Sequence, residues 1–351
     1  MTRQSLSGVS LLALLVGMQP QAATAQDNSE ETALKPIVVT STKRSTDYFL
    51  LPSAFDVAGP DELQQRDVQT VADLDRIFPD VNIRTRSSRA YANFTIRGQA
   101  SLDFYNPSTQ VYVDGLPQDS FNLTRMLPGG LENVELLYGP QGTLYGRGAI
   151  GGVINIVTRK PDDDLRFAVN GDLNTEGSSG DIYLNLPLID GTLYSDFSLS
   201  GLHESDSYTT MMTGQEVGGS DQVNGQIRVR YAPEGSPLDV MVTAGRSRVT
   251  STEEHFVLES MLEDRIALPI PSEYVLDTWN FGINASYDLG FATVTALTGY
   301  QKSDFDRTVF GSYTPEKQWT LSQELRIASN PDQGNAIDYV AGLYYQHLDF
   351  T

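Results

Sequence analysis

Residues 220–231, SDQVNGQIRVRY, put Gln222, Asn224, Gln226, Arg228 and Arg230 on one parity and Val223, Ile227, Val229 and Tyr231 on the other. Successive side chains of a β-strand point to opposite faces, so such a segment has one apolar and one polar face. The pattern recurs. Phe167, Val169, Gly171 and Leu173 alternate with Arg166, Ala168, Asn170 and Asp172, and Phe281, Ile283, Ala285 and Tyr287 alternate with Asn280, Gly282, Ser286 and Asp288. Leu193–Leu199 and Leu321–Ile327 behave likewise. Connections are tight at Ile189–Gly191 and Tyr287–Phe291, and long and polar at Ser205–Ser220 and Ser251–Ser272. A soluble sandwich would also alternate, but this asymmetry of connections predicts transmembrane barrel strands, apolar outward and polar inward. Tyr183, Tyr194, Tyr208, Trp279, Tyr300, Tyr344 and Tyr345, near strand ends, are expected to form interfacial girdles. About nine strands follow residue 162, whereas a barrel enclosing a domain takes about 22. An open edge cannot persist in lipid. The sequence is therefore expected to be part of a longer protein, or a truncated product unable to close alone.

A different pattern precedes these strands. Leu131–Pro161, LENVELLYGPQGTLYGRGAIGGVINIVTRKP, predicts a strand at Val134–Tyr138, a glycine-rich connector and a second strand at Val153–Thr158. Gly146–Gly151 spells G-x-G-x-x-G, but a strand follows where a dinucleotide site requires a helix. Upstream, Pro60–Phe78 spaces Val68, Val71, Leu74 and Ile77 or Phe78 for one helix of two to three turns, closed by Pro79. Val81–Thr85 and Asn93–Gly98 read as strands, and Gln110–Pro117 as a strand meeting an Asp114-Gly115 turn.

Composition narrows the function. A formal net charge of -21 argues against nucleic acid, whose phosphates need a basic surface. The absence of cysteine excludes disulfides, thiolate metal sites and iron-sulfur ligation. His203, His255 and His347 have no paired spacing, so no metal site and no cofactor are expected. No hydrolase elbow, zinc-protease helix or Walker lysine motif is present, and no enzyme is expected. At the N-terminus, Arg3, the apolar run Val9–Val16 and Ala23-Thr24-Ala25 predict a secretory signal cleaved after Ala25. A polar, acidic segment then leads into the β-prone run Pro36–Thr42, which on its own could be an edge strand of the domain that follows.

Glu132, Val134, Glu135, Gly139, Pro140, Leu144, Tyr145, Gly146, Ala149, Gly151, Gly152, Ile154, Asn155 and Ile156 match the last plug-domain motif of the TonB-dependent outer-membrane receptors. Ile96-Arg97-Gly98 and Tyr112-Val113-Asp114-Gly115 resemble two further motifs of that family. The resemblance spans the whole chain. It implies an α+β plug domain inside a transmembrane antiparallel β-barrel, with a signal peptide at 1–25, a periplasmic segment at 26–48, the plug at 49–161 and part of the barrel at 162–351. Within 36–42, Ile37, Val38, Val39 and Thr40 are expected to form an unpaired TonB box, able to add as a strand to the edge of a TonB sheet. Arg97, Gly98, Asp114, Gly115, Glu132, Glu135, Gly139, Pro140, Tyr145, Gly146, Gly151, Gly152 and Asn155 are expected to be structural. Of these, Arg97, Glu132 and Glu135 are expected at the plug–barrel boundary or in internal ion pairs.

The segments Arg86–Tyr91 and Ser101–Asn106 read as polar, aromatic loops, where binding residues concentrate. On the resemblance, Arg86, Arg89, Tyr91, Asp103, Phe104, Tyr105, Asn106 and Gln118 are ligand-binding candidates; contact with the barrel wall is the alternative for the same residues. YVDGLPQ, ENVELLYGPQGTLYG, GGVINIVT and SQELRIAS are most similar to ferric-siderophore receptors of the yersiniabactin/pesticin type. That implies active uptake of a ferric siderophore, with TonB and its inner-membrane energising complex as partners and outer-membrane lipids as surroundings. The same scaffold importing cobalamin, carbohydrate or haem, and an exported fragment that binds without transporting, are the alternatives.

Overall fold

The computed structural model describes Val38, Val39, Lys43, Thr46, Asp47 and residues 54–86, 88–101, 103–270, 272–330 and 337–351, with backbone only at Val38, Val39, Thr46, Asp47 and Arg86. The secretory segment, Ile37, Thr40 and the Arg86 side chain lie outside the described residues.

Residues 55–158 build the plug around two sheets. The larger has the spatial order Phe55–Ala58, Leu131–Tyr138, Gly152–Thr158, Thr109–Val113 and Leu116–Pro117. Its central strand, Gly152–Thr158, is antiparallel to Leu131–Tyr138 and parallel to Thr109–Val113. The smaller sheet joins Val81–Arg86, Ser88–Ile96 and Gln99–Ala100. Leu74, Phe94, Val111, Val134, Leu136, Ile154 and Ile156 are fully buried in one cluster between them. Burying each such side chain contributes about 1.5–3 kcal/mol.

Two family-like motifs are hairpin turns. Arg97 and Gly98 have φ of 47° and 79°, and Asp114 and Gly115 have φ of 51° and 82°. Two consecutive positive values are what a two-residue type I′ turn demands, which favours Asn or Asp followed by Gly. Arg97 meets the same demand without the preferred side chain.

Two local expectations are corrected. The run Pro60–Phe78 is a helix Pro60–Gln65 and a 3-10 turn Val71–Arg76, separated at Asp67, which has φ of 52°. A capping box explains the break: the Asp73 carboxylate accepts from the Thr70 backbone N–H at 2.9 Å and from its hydroxyl at 2.7 Å, restarting the helix there. Val68, Val71, Leu74 and Phe78 are buried as expected. The span 88–91 is strand rather than loop: Ser88 pairs with Arg86 and Ala92–Ile96 with Val81–Thr85, and a register shift between them leaves Arg89–Tyr91 as a bulge.

After the plug, nine long strands run antiparallel in sequence order: Arg166–Leu173, Gly177–Ile189, Leu193–Glu204, Ser220–Tyr231, Leu238–Ser251, Glu273–Asp288, Ala292–Val309, Glu316–Ser329 and Val340–Phe350. Gln222, Asn224, Gln226 and Arg228 are buried against the plug, while Val223, Ile227, Val229 and Tyr231 are exposed on the outer face. Apolar parity therefore faces lipid, as a membrane barrel requires. The long connections share one end, where Tyr208–Thr210, Glu216–Val217 and Ile266–Ala267 form a small sheet of their own.

The girdle expectation is compatible with Trp279, Tyr300 and Tyr345, which are exposed on the outer wall, with Trp279 and Phe281 stacked at 6.2 Å. It fails for Tyr183, Tyr194, Tyr208 and Tyr344. Tyr183 is buried on the inner parity beside Asn185, and Tyr194 is buried with its hydroxyl 3.2 Å from Asp163. Tyr208 packs on His255 in the loops, and Tyr344 pairs in register with the inward-facing Glu324. Parity, rather than nearness to a strand end, decides which face an aromatic ring joins.

Gly152 marks the tightest approach in the plug. A Cβ there would lie 2.5 Å from the Leu137 carbonyl oxygen and 3.0 Å from Ile96 Cδ1. Gly152→Ala is expected to destabilise the plug by about 1–3 kcal/mol through overpacking. Limited proteolysis in detergent reads this as faster plug cleavage with the barrel bands unchanged, and an unaltered cleavage rate would contradict it.

Candidate functional site

The loop end of the plug meets the barrel wall in an aromatic and ionic cluster. The Tyr91 ring has Phe104, Tyr105, Phe121 and Phe305 within 5.4–6.3 Å. Its hydroxyl donates to Glu316 at 2.6 Å, and the Tyr105 hydroxyl donates to the same carboxylate at 3.0 Å. Arg307 donates to the Tyr91 oxygen, lies 5.0 Å above its ring, and pairs with Glu254 at 3.3 Å and Glu316 at 3.5 Å. Burial and the neighbouring Glu316 push the Tyr91 hydroxyl well above the ordinary tyrosine range. It is a donor at any physiological pH.

Arg89 stands beside this cluster, paired with Glu253 at 2.9 Å and with Glu204. Its backbone is held too: the N–H donates to the Tyr274 hydroxyl at 3.3 Å, and its carbonyl accepts from the Thr124 hydroxyl at 2.6 Å. Asp103 accepts from the Tyr105 backbone N–H at 3.1 Å and from Asn106 Nδ2 at 3.0 Å. These two bonds fold the exposed loop over Tyr91 and leave Asp103, Tyr105 and Asn106 facing solvent.

Six of the candidates, Arg89, Tyr91, Asp103, Phe104, Tyr105 and Asn106, thus converge at one end. Gln118 does not join them. It is buried lower down, where its Oε1 accepts from Asn122, Arg125 and Gln301 at 3.1, 2.9 and 2.9 Å. This is the heart of a polar seam between plug and wall. The Asp119 backbone N–H donates to Gln301 at 2.7 Å, its carboxylate accepts from the Ser303 hydroxyl at 2.7 Å, and Ser120 donates to Gln318 at 2.8 Å. Burial pushes the Asp119 carboxyl up to about 6, against the opposing pull of Ser303, the Asn122 and Phe121 N–H groups and Arg125. Burial likewise brings Arg125 down to about 10.

Nearer the opposite end, the buried Arg228 donates to Asp196 at 2.9 Å, to Asp114 at 3.2 Å, to the Arg159 carbonyl at 2.7 Å and to the Thr158 hydroxyl. Asp114 in turn accepts from the Thr158 N–H at 2.9 Å, tying its turn to the plug's last strand. Of the other structural residues, Arg97 pairs with Asp80 at 3.2 Å and stacks 3.7 Å over Tyr138. Glu135 is fully buried and accepts from Asn155 at 2.8 Å. Glu132 departs from expectation: it is exposed at the start of its strand and joins no ion pair among the described residues. Tyr145 is buried against Tyr112, whose hydroxyl donates to the Tyr145 carbonyl at 3.0 Å. Gly139 and Gly146 take φ of 77° and 70°, the Gly139 N–H reaches the Gly151 carbonyl at 2.9 Å, and Pro140 is exposed on the outside of this bend.

Val38 and Val39 are not unpaired: they form a two-residue antiparallel ladder with Asp47 and Thr46. Between these strands Lys43 is buried, with Nζ 2.5 Å from Glu324 on the inner wall and 4.9 Å from the Tyr145 ring centre.

Sequence reasoning missed the wall's half of the site: Glu204, Glu253, Glu254, Arg307, Glu316, Asp196 and Arg228. The strand-borne members carried a signal, since Arg228 and Arg307 are charges on the inward parity. Such groups need a partner inside the barrel. Among the described residues, no group of three His, Cys, Asp or Glu side chains is gathered as a metal site.

The "TonB-dependent Receptor Plug Domain" family matches residues 49–153. The chain is 31% identical over 340 residues to the pesticin receptor of Yersinia pestis, covering 93% of this chain and 50% of that protein. It is 28% identical over 218 residues to the ferric enterobactin receptor PirA of Pseudomonas aeruginosa, covering 55% and 29%. Its fold superposes on the crystal structure of the ferric yersiniabactin uptake receptor FyuA from Yersinia pestis with a TM-score of 0.81 and 29% identity, covering 85% of this chain and 49% of that one. The chain spans about half the length of the pesticin receptors it matches.

The Asp119 carboxyl supplies a pH test of the seam. Its value in the fold, about 6, lies above the ordinary 3.8, so the folded state binds more protons than the unfolded state between those values. Stability then falls as pH rises through that window, and the contribution is fully present only below it. Melting temperatures of the detergent-solubilised protein between pH 4 and 7 are expected to carry this falling component. Asp119→Asn is expected to flatten it, and an identical pH profile in the variant would refute the assignment.

Proposed function

Because the chain belongs to the TonB-dependent outer-membrane receptors, as a plug and the N-terminal part of a barrel, we propose that it serves active uptake of a ferric-siderophore complex across the outer membrane, driven through TonB. The observation that carries this reading is the 31% identity to a pesticin receptor over nearly the whole chain, joined to the superposition on a ferric yersiniabactin uptake receptor. The iron is cargo, brought by its own chelator.

The ligand would settle on Asp103, Tyr105 and Asn106, the solvent-facing part of the loop-end cluster, with Phe104 and Tyr91 beneath and Arg89 alongside. A ligand that engages Tyr105 competes with its bond to Glu316, and Tyr91 and Arg307 share that carboxylate. Tyr91 lies on the strand Ser88–Ile96, which runs straight to the Arg97-Gly98 turn. There Arg97 stacks on Tyr138, whose hydroxyl donates to Asp56 at 2.5 Å on the plug's first strand. A shift at the apex therefore has a packed route to the plug's N-terminal strand, Phe55–Ala58, which follows in sequence the segment that includes Ile37, Val38, Val39 and Thr40. That segment would pair with TonB by strand addition, where main-chain hydrogen bonds supply affinity.

Deleting Ile37–Thr42 is expected to abolish accumulation of radioiron-labelled ferric yersiniabactin by cells of the native host while leaving surface binding intact. Tyr105→Ala and Asn106→Ala are expected to weaken binding itself. Undiminished uptake by the deletion strain would sink the transport reading.

A further inference from the structure

Both arginines of the loop-end cluster are spent within the protein. Arg89 lies between Glu204 and Glu253, and Arg307 between Glu254 and Glu316, so each guanidinium faces two carboxylates. The surplus negative charge is held by neutral donors. The Ser220 hydroxyl donates to Glu204 at 2.9 Å, the Tyr274 hydroxyl to Glu253 at 2.9 Å, and the hydroxyls of Tyr91 and Tyr105 to Glu316. Such bonds favour the ionised carboxylate without cancelling its charge. The wall residues concerned lie on strands with a neighbour on each side, or directly after one. On the plug, Asp103 adds another carboxylate at the solvent face, and the groups it accepts from, an N–H and an amide of its own loop, are neutral too.

Five carboxylates, Asp103, Glu204, Glu253, Glu254 and Glu316, therefore stand against two guanidinium groups around Tyr91. Counting Arg86 as a third cation leaves the balance negative. The connections at this end push the same way. Residues 174–176, 205–219, 252–272 and 310–315 together contain eight Asp or Glu and one basic residue, Arg265, whereas the whole chain has 45 acidic and 24 basic residues. A concave surface carrying one sign of charge focuses its field on what approaches and sorts ligands by sign. An anion could reach Arg89 or Arg307 only by displacing a carboxylate that stays anchored beside it and repels it.

We propose that the site selects its ferric chelate by charge, taking complexes of zero or positive net charge and rejecting polyanionic ones such as tris-catecholates, with Asp103 receiving a cationic or N–H group on the ligand's periphery. The proposal rests on the transport reading and adds the charge class of the ligand. Like charges brought together at a binding surface are strongly penalised, and complementary ones speed arrival.

The absence of cysteine from the chain permits a direct reading. Asn106 is exposed beside Asp103. In the receptor solubilised in non-ionic detergent, the thiol of Asn106→Cys is expected to react at least about tenfold faster with trimethylammonium-ethyl than with sulfonatoethyl methanethiosulfonate, each rate being divided by that with free cysteine. The preference is expected to shrink with Asp103→Asn/Glu204→Gln, and in about 1 M salt, where the Debye length falls to about 3 Å. No preference, or the opposite one, overturns the proposal.

The unmodified receptor supplies the second measurement, which decides alone if the variant fails to assemble. Exchanging the iron(III) of ferric yersiniabactin for zinc(II), with the chelator's protonation unchanged, makes the complex more negative by one unit. The zinc complex is expected to bind about tenfold more weakly at low salt and to draw level at high salt. Equal affinity at low salt, or a gap that salt leaves untouched, refutes selection by charge. Binding of neither complex, with the thiol preference present, tells against the transport reading instead.

Discussion

The architecture depends on one constraint, that a sheet meeting lipid on its outer face must turn the polar parity of its lipid-crossing stretches inward. In water those groups would be solvated. Here Gln222, Asn224, Gln226, Arg228 and Ser303 are buried because a second body fills the space they face. The plug is thus required by the wall's chemistry, and the wall by the plug's. Arg228 shows the mutual demand most clearly: a guanidinium so deeply buried would be prohibitive alone, and its four acceptors come from both bodies.

The interface changes character along its height. At the loop end it is aromatic, with Tyr91, Phe121, Tyr274 and Phe305 in contact and carboxylates and guanidinium groups around them. Ring contacts tolerate small displacements, whereas the amide and carboxylate bonds of the Asp119 seam do not. On the proposed reading, a ligand arriving at the loop end would meet the part of the interface most able to rearrange. Deeper layers hold the plug in register meanwhile.

Much of this was legible in the sequence, for reasons that differ by element. Barrel strands announce themselves because lipid and plug impose opposite demands on alternate residues; the parity of 220–231 holds almost residue by residue, and that of 280–288 holds over 281–283 and fades towards the turn. The turns at 97–98 and 114–115 were legible as motifs because positive φ is sterically selective. The break at Asp67 was hidden: burial of Val68, Val71, Leu74 and Phe78 satisfies one continuous helix or two short pieces equally well, and only the Thr70–Asp73 cap decides. Gln118 was misplaced because a polar residue beside a turn looks like a loop tip, and nothing local reveals Gln301 across the seam. The wall's carboxylates were missed for the same reason. Partners separated by 115 to 225 residues leave no mark on each other's neighbourhood.

A plug that must both seal and yield cannot be bonded equally on all sides. If every flank carried the bonds of Asp119 and Arg228, any opening would expose many buried polar groups together, and the cost would exceed what strand addition at one short segment can return. If none did, the plug would drift within the barrel. Among the described residues the bonds to the wall gather in 114–125 and on the strands facing them, and 56–85 forms no hydrogen bond or ion pair with those strands. Among the described residues of the N-terminal segment, a two-residue ladder at Val38–Val39 and the buried pair of Lys43 with Glu324 tie the chain down.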